Sequence, residues 1–221
     1  MGNMEQLNSM ETLASLISKG EHVRQDFKFR IDDQRKIART LCAFANTEGG
    51  SLLIGVKDNR KISGCNPEEE FHMIEGAASL YCQPPVEFKQ KIWQEDLKLV
   101  LEIIVEKSNA GPHKAKDDEG RWKPYIRIKD HTTAVNKILE RVWYEKKKLV
   151  SKPEKLEKEE IDFLKLIQQQ EKITLSKLYR LSGLPLRKVD RLLVLFICWD
   201  LVEMCFESDG IYYAARDSDQ K

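Results

Sequence analysis

Between residues 34 and 64 the hydrophobic period of the chain changes abruptly, and that change leaves few folds open. The segment Asp32–Thr47 carries Ile37, Leu41 and Phe44 at helical spacing, with Asp32 or Asp33 able to cap it. Asn46-Thr47-Glu48-Gly49-Gly50 then forms a turn, and Ser51-Leu52-Leu53-Ile54-Gly55-Val56 follows as a short, nearly unbroken apolar run. Such a run is expected of a strand buried on both faces. Lys61-Ile62-Ser63-Gly64 reads as its return strand, through a turn at Asp58-Asn59-Arg60. A helix, a glycine turn and a doubly buried strand in succession need a sheet with helices laid against it.

The flanking segments extend that reading. Leu13, Leu16 and Ile17 mark a helix over residues 10–20, which Gly20 ends. Val23, Phe27 and Phe29 alternate with polar residues, as in a strand with one wet face. A helix is expected over 67–80, strands over 86–93 and 97–105, then a polar stretch over 107–123. A strand at 125–129 and a helix over about 132–145 follow.

From Lys146 to Glu160 the chain is highly charged and reads as a linker. Beyond it, helices are expected at 160–169, 176–182 and 185–199. Gly183-Leu184-Pro185 supplies the turn between the last two, and Pro185 suits a first helical position. Two strands, 201–207 and 211–215, then meet through Ser208-Asp209-Gly210, a hairpin signal.

Composition narrows the function classes. No stretch approaches the roughly 20 apolar residues of a membrane span, and the opening segment is polar and acidic, unlike a secretory signal. The five cysteines are scattered without a CxxC pair, which argues against zinc and fits a reducing, cytoplasmic setting. Net charge is only +1. Affinity for a polyanion must therefore come from local clusters of cations. There is no GxxxxGK[ST] phosphate loop, so nucleotide hydrolysis is discounted.

Three blocks in order, GEHVRQDFK, KIARTLCAFANTEGGSLLIGVKDNRKISG and PYIRIKDHTTA, resemble the Schlafen/AlbA_2 DNA-binding domain family. The resemblance covers about residues 13–145 and implies an α/β (α+β) domain with a mixed sheet and flanking helices. Ala43 and Ala45 keep the helix end thin; Gly49 and Gly50, with Gly55 and Gly64, serve the turns. Asn46 either ties its turn down or touches a ligand. Relatives with nuclease activity imply an acidic triad that would hold Mg or Mn. Glu21 and Asp26 match its first two positions, but Lys57 occupies the third and Asp58 stands one residue later. Catalysis is therefore the alternative, and binding without a cofactor is the main reading.

The binding residues expected in this domain are Lys28, Arg30, Arg35, Lys36 and Arg39 at the first strand and helix, and Lys114, Lys116, Arg121, Lys123, Arg127 and Lys129 further on. His113, Trp122 and Tyr125 interleave the second set as stacking groups, while Asp117, Asp118 and Glu119 interrupt it. Arg127 and Lys129 are expected to share one exposed face.

The C-terminal part resembles a winged helix-turn-helix. Arg187, Lys188 and Arg191 lie at the start of its third helix, and Lys177 and Arg180 on the second. Its acidic wing and apolar third helix leave partner docking open. The expected organisation is an AlbA_2-like domain over 1–148, a linker over 149–156 and a winged helix over 157–217. The expected role is a non-catalytic regulator that binds nucleic acid, DNA more than RNA, as a homodimer. A Schlafen-like metal-dependent endoribonuclease and a protein-interaction module are the alternatives.

Overall fold

The structure, a computed structural model, describes residues 12–148, 151–207 and 210–216. The chain divides into two compact units between Ala134 and Val135. The first runs α1 (Leu13–Lys19), β1 (Gln25–Lys28), α2 (Gln34–Asn46), β2 (Gly50–Ile54), α3 (Pro67–Leu80), β3 (Cys82–Gln83), β4 (Lys89–Glu95), β5 (Lys98–Val105), β6 (Lys114–Lys116), β7 (Trp122–Ile128) and β8 (His131–Ala134). Two four-stranded sheets result. The order β1-β2-β5-β4 is mixed, because β1 and β2 are parallel and the other pairs antiparallel. The order β3-β6-β7-β8 is antiparallel throughout. This second sheet was hidden in the sequence, where its short strands β3, β6 and β8 lie in polar stretches.

Helix α2 packs against both sheets, which is why its apolar stripe widens to eight buried residues, Ile37 and Ala38 and Thr40 to Ala45. Asp33 caps it by accepting from the N–H groups of Arg35 and Lys36. Its other end fastens to the second sheet. The Asn46 amide donates to the carbonyls of His113 (2.8 Å) and Tyr125 (2.9 Å) and accepts from the His113 N–H (2.8 Å). The Thr47 hydroxyl donates to Ala43 O and accepts from the Arg127 N–H at 2.9 Å. The following turn needs glycine twice. Gly49 has φ +74°, and a Cβ on Gly50 would lie 2.4 Å from the Phe44 ring and 2.8 Å from Arg24 O.

The opposite face of the mixed sheet receives α1, whose Leu13, Leu16 and Ile17 pack on Phe27, Leu53, Val56 and Val100. Buried Gln25 holds that helix by donating to Leu16 O and Gly20 O. Strand β1 is shorter than the alternation implied. A bridge between His22 and Gln25 occupies its start, and Phe29 lies beyond its end.

The second unit runs α4 (Lys137–Lys146), α5 (Lys158–Gln168), β9 (Ile173–Thr174), α6 (Leu175–Leu181), α7 (Leu186–Cys198), β10 (Val202–Glu207) and β11 (Gly210–Ala215), with strand order β10-β11-β9. The Ser208-Asp209 part of the expected hairpin turn lies outside the described residues, as does the segment before Thr12. Tyr213, Phe196, Leu193 and Leu178 centre its core. The division between Ala134 and Val135 falls before the boundary expected at 148. Helix α4 belongs to the second unit, because Ile138 and Val142 pack into that core. Its polar contacts agree. Buried Asp190 pairs with Lys137 Nζ at 2.9 Å and accepts the Tyr179 hydroxyl, and Asn136 donates to the Tyr213 hydroxyl. Among the described residues no helix is long and apolar enough to cross a membrane.

Asn46→Ala strands three partly buried backbone groups and is expected to lower unfolding free energy by about 2 to 3 kcal/mol. Urea denaturation checks this; an unchanged midpoint would mean that the amide clamp is idle.

Candidate nucleic-acid interface

The cations expected to form one track fall into distinct environments. The first surrounds Asp26, which is buried at the edge of the mixed sheet. Its carboxylate pairs with Lys28 Nζ at 2.8 Å and Arg127 Nη2 at 3.4 Å. Arg127 is 4% exposed, which corrects its expected place on an open face. Pro124, Tyr125, Ile126 and Arg127 are all buried, so β7 is covered on both faces and alternation says nothing about exposure there. Arg127 also donates to Thr132 Oγ1 (3.1 Å), His22 O (3.3 Å) and Gln25 O (3.4 Å), and its guanidinium lies 5.1 Å from the Phe44 ring centre. It ties β7 to β1. Lys129 is exposed, in the left-handed turn between β7 and β8 (φ +56°).

Glu21 accepts the Phe27 N–H at 3.0 Å. Burial pushes its carboxyl above the ordinary value; the Phe27 bond opposes this, and the Asp26 carboxylate adds to it. Two members of the expected acidic triad thus meet. Asp58 does not join them: it lies in the exposed turn after Val56, and among the described residues no three His, Cys, Asp or Glu side chains are grouped to hold a metal ion. Asp26 is already neutralised by two cations. The residues do not fit a divalent metal.

The second environment is the loop before β7. Asp117 accepts the Glu119 and Arg121 N–H groups and pairs with Arg121 Nε (2.9 Å) and Lys123 Nζ (2.8 Å). Arg39 pairs with Asp118 at 2.7 Å and donates to Lys116 O. Three cations expected to grip phosphate are therefore matched by the acids that interrupt them. His113 and Tyr125 are buried, His113 facing Pro84 O and Ser108 Oγ, so neither is a stacking surface. Of these three side chains Trp122 alone is exposed, with Lys116 Nζ 5.2 Å from its ring centre. Lys114 is half-buried on β6. Asn46 and the glycines Gly49, Gly50, Gly55 and Gly64 all serve the fold.

The third environment lies at the carboxyl ends of the parallel strands β1 and β2. Gly55 and Val56 donate to Lys28 O, and Ser63 and Gly64 donate to Gly55 O. Gly55 has φ +97°, and a Cβ there would lie 3.0 Å from Gly64 C, so the chains close only over glycine. This junction sets Phe29 on the surface, 49% exposed, with Lys57 Nζ 5.3 Å from its ring centre. Arg30, Arg35 and Lys36 follow within seven residues, all exposed. Arg35 and Lys36 have no ion-pair partner among the described residues, while the Arg30 charge acts on the Glu70 carboxyl, opposing the upward push of burial there. Neither Phe29 nor Lys57 stands out in the sequence, where Phe29 falls within the alternation of a strand and Lys57 is only a departure from the acidic pattern.

In the second unit, Lys177 donates to Gln170, and Lys188 pairs with Glu159. Arg187 and Arg191 remain exposed and unpaired among the described residues, but they share a groove of about 550 Å³ with Glu157, Glu159 and Glu160. The sign of charge along it is mixed.

The family model described as Schlafen, AlbA_2 matches residues 21–136. No curated protein matches the sequence. Among solved structures, the DIP2311 protein from Corynebacterium diphtheriae is 19% identical with a TM-score of 0.44, over 60% of this chain and 30% of its own length. The N-terminal domain of a RecG-related protein from Nitrosomonas europaea is 17% identical with a TM-score of 0.39, over 58% of this chain and 94% of that domain. This chain therefore spans less than a third of the diphtheria protein.

The Asp117 loop yields a pH test. Lys123, and then the Arg121 backbone and side chain, hold the Asp117 carboxyl far below its ordinary 3.8. A depressed carboxyl stabilises the fold above its unfolded value and loses that contribution as pH falls through the folded one. Asp117→Asn is expected to lower Tm at pH 7, with the gap to wild type narrowing as pH drops below that ordinary value. A gap that held constant into acid would contradict the ion-pair assignment.

Proposed function

Because the chain belongs to the Schlafen, AlbA_2 family, we propose that it binds nucleic acid without chemistry, gripping unpaired stretches through the surface at the ends of β1 and β2. The observation that carries this reading is exposed Phe29, with Lys57 over its ring and exposed Arg30, Arg35 and Lys36 beside it. Cations neutralise phosphates and release counterions, while an aromatic face stacks on any base free of its partner. Duplex bases are already stacked, so single-stranded segments suit this surface better. DNA is kept ahead of RNA.

Within the second unit, the stretch after α4 supports a winged helix-turn-helix reading through its element order: helices α5, α6 and α7, then a hairpin whose sheet takes β9 as a third strand. Arg187 and Arg191 are its free cations for phosphate or bases. The acids of the adjoining groove favour a modest contribution. A regulator built this way would work in the cytoplasm and need no cofactor.

Fluorescence anisotropy with a labelled single-stranded oligonucleotide tests the reading. With three or four phosphates contacted, affinity is expected to fall about 20- to 50-fold between 50 and 200 mM salt. Phe29→Ala is expected to weaken binding about 5- to 150-fold without unfolding the protein. Affinity indifferent to both salt and Phe29 would overturn the proposal. So would cleavage in Mn²⁺ that disappears with Glu21→Ala.

A further inference from the structure

Strand β4 is an edge. It pairs with β5 on one side and, among the described residues, with nothing on the other. Seven residues long and exposed along nearly all of its length, it offers a full row of backbone donors and acceptors. Such an edge is a template for another strand. Ile92, at its centre, is 54% exposed.

The sequence of this edge, Lys89-Gln90-Lys91-Ile92-Trp93-Gln94-Glu95, is complementary to itself when read backwards. We propose that β4 is where two copies of this chain join, antiparallel, about a two-fold axis through Ile92. That register sets Lys89 opposite Glu95 of the second copy, Gln90 opposite Gln94, Lys91 opposite Trp93, and Ile92 against itself. Cross-strand neighbours lie on one face and interact as pairs. The ends thus match opposite charges, the next positions match amides, and Lys91 faces an indole. Lys91 already prefers that company: its Nζ lies 3.4 Å from the centre of its own Trp93 ring. A two-residue slip toward the amino end sets Lys91 against Lys91, a like-charge pair that opposes it. Lys89 has a surface partner in Glu106 at 2.5 Å, which leaves it placed between two carboxylates in the dimer. No residue of the Phe29 surface takes part, so the joint stands independently of the nucleic-acid reading.

Sedimentation of the full chain at micromolar concentration tests it. Wild type is expected to approach twice the 25.7 kDa chain mass. Lys89→Glu and Glu95→Lys each oppose like charges at both ends of the joint, and each is expected to weaken self-association about tenfold or more. In a mixture of the two variants, one copy brings a carboxylate to both ends of its strand and the other brings an ammonium to both. Opposite charges then face each other again, and the mixture is expected to regain the dimer. A wild type that stays monomeric overturns the proposal. So does a dimer untouched by either substitution, or a mixture no tighter than its components.

Discussion

The first unit hangs on the carboxyl end of α2. One asparagine amide there satisfies three backbone groups of the second sheet and its approach, and the adjoining threonine holds the Arg127 N–H. Unmade, those bonds would leave strand groups stranded beside an apolar helix, which is costly. Gly49 and Gly50 then let the chain turn against Phe44 and enter β2. The helix, its clamp and the glycine turn are one device that packs two sheets against a single post.

From that device the electrostatics follow. With β7 drawn onto α2, Arg127 has no route to solvent and becomes the buried partner of Asp26. The loop ahead of β7 folds its cations onto Asp117 and Asp118. Arg39, Arg121, Lys123 and Arg127 thus each meet an acid nearby. The surface around Phe29 differs because Asp33, just ahead of Arg35 and Lys36 in the chain, faces the amino end of α2 as its cap. Helix formation thereby leaves the neighbouring cations without that carboxylate.

The legible parts of the fold were those with a strong local signal. The period of α2, the apolar run of β2, Gly20 ending α1 and the order of helices in the second unit all emerge where the residues place them. The missing parts were tertiary. Strands of two to four residues such as β3, β6 and β8 have no period to read, and α4 shows its allegiance only through Ile138 and Val142 in the other core. Arg127 misled for a related reason, since alternation presumes one wet face and β7 has none. Phe29 does not stand out in the sequence because its exposure depends on where β1 stops, and the strand ends at Lys28, whose carbonyl the Gly55 and Val56 N–H groups take up.

Hydrogen–deuterium exchange of the full chain, with and without a single-stranded oligonucleotide, tests the central claim most directly. Segments 28–36 and 55–60 should gain protection, while the 117–123 loop exchanges as before. Protection confined to that loop, or none in the first unit at all, would contradict the account.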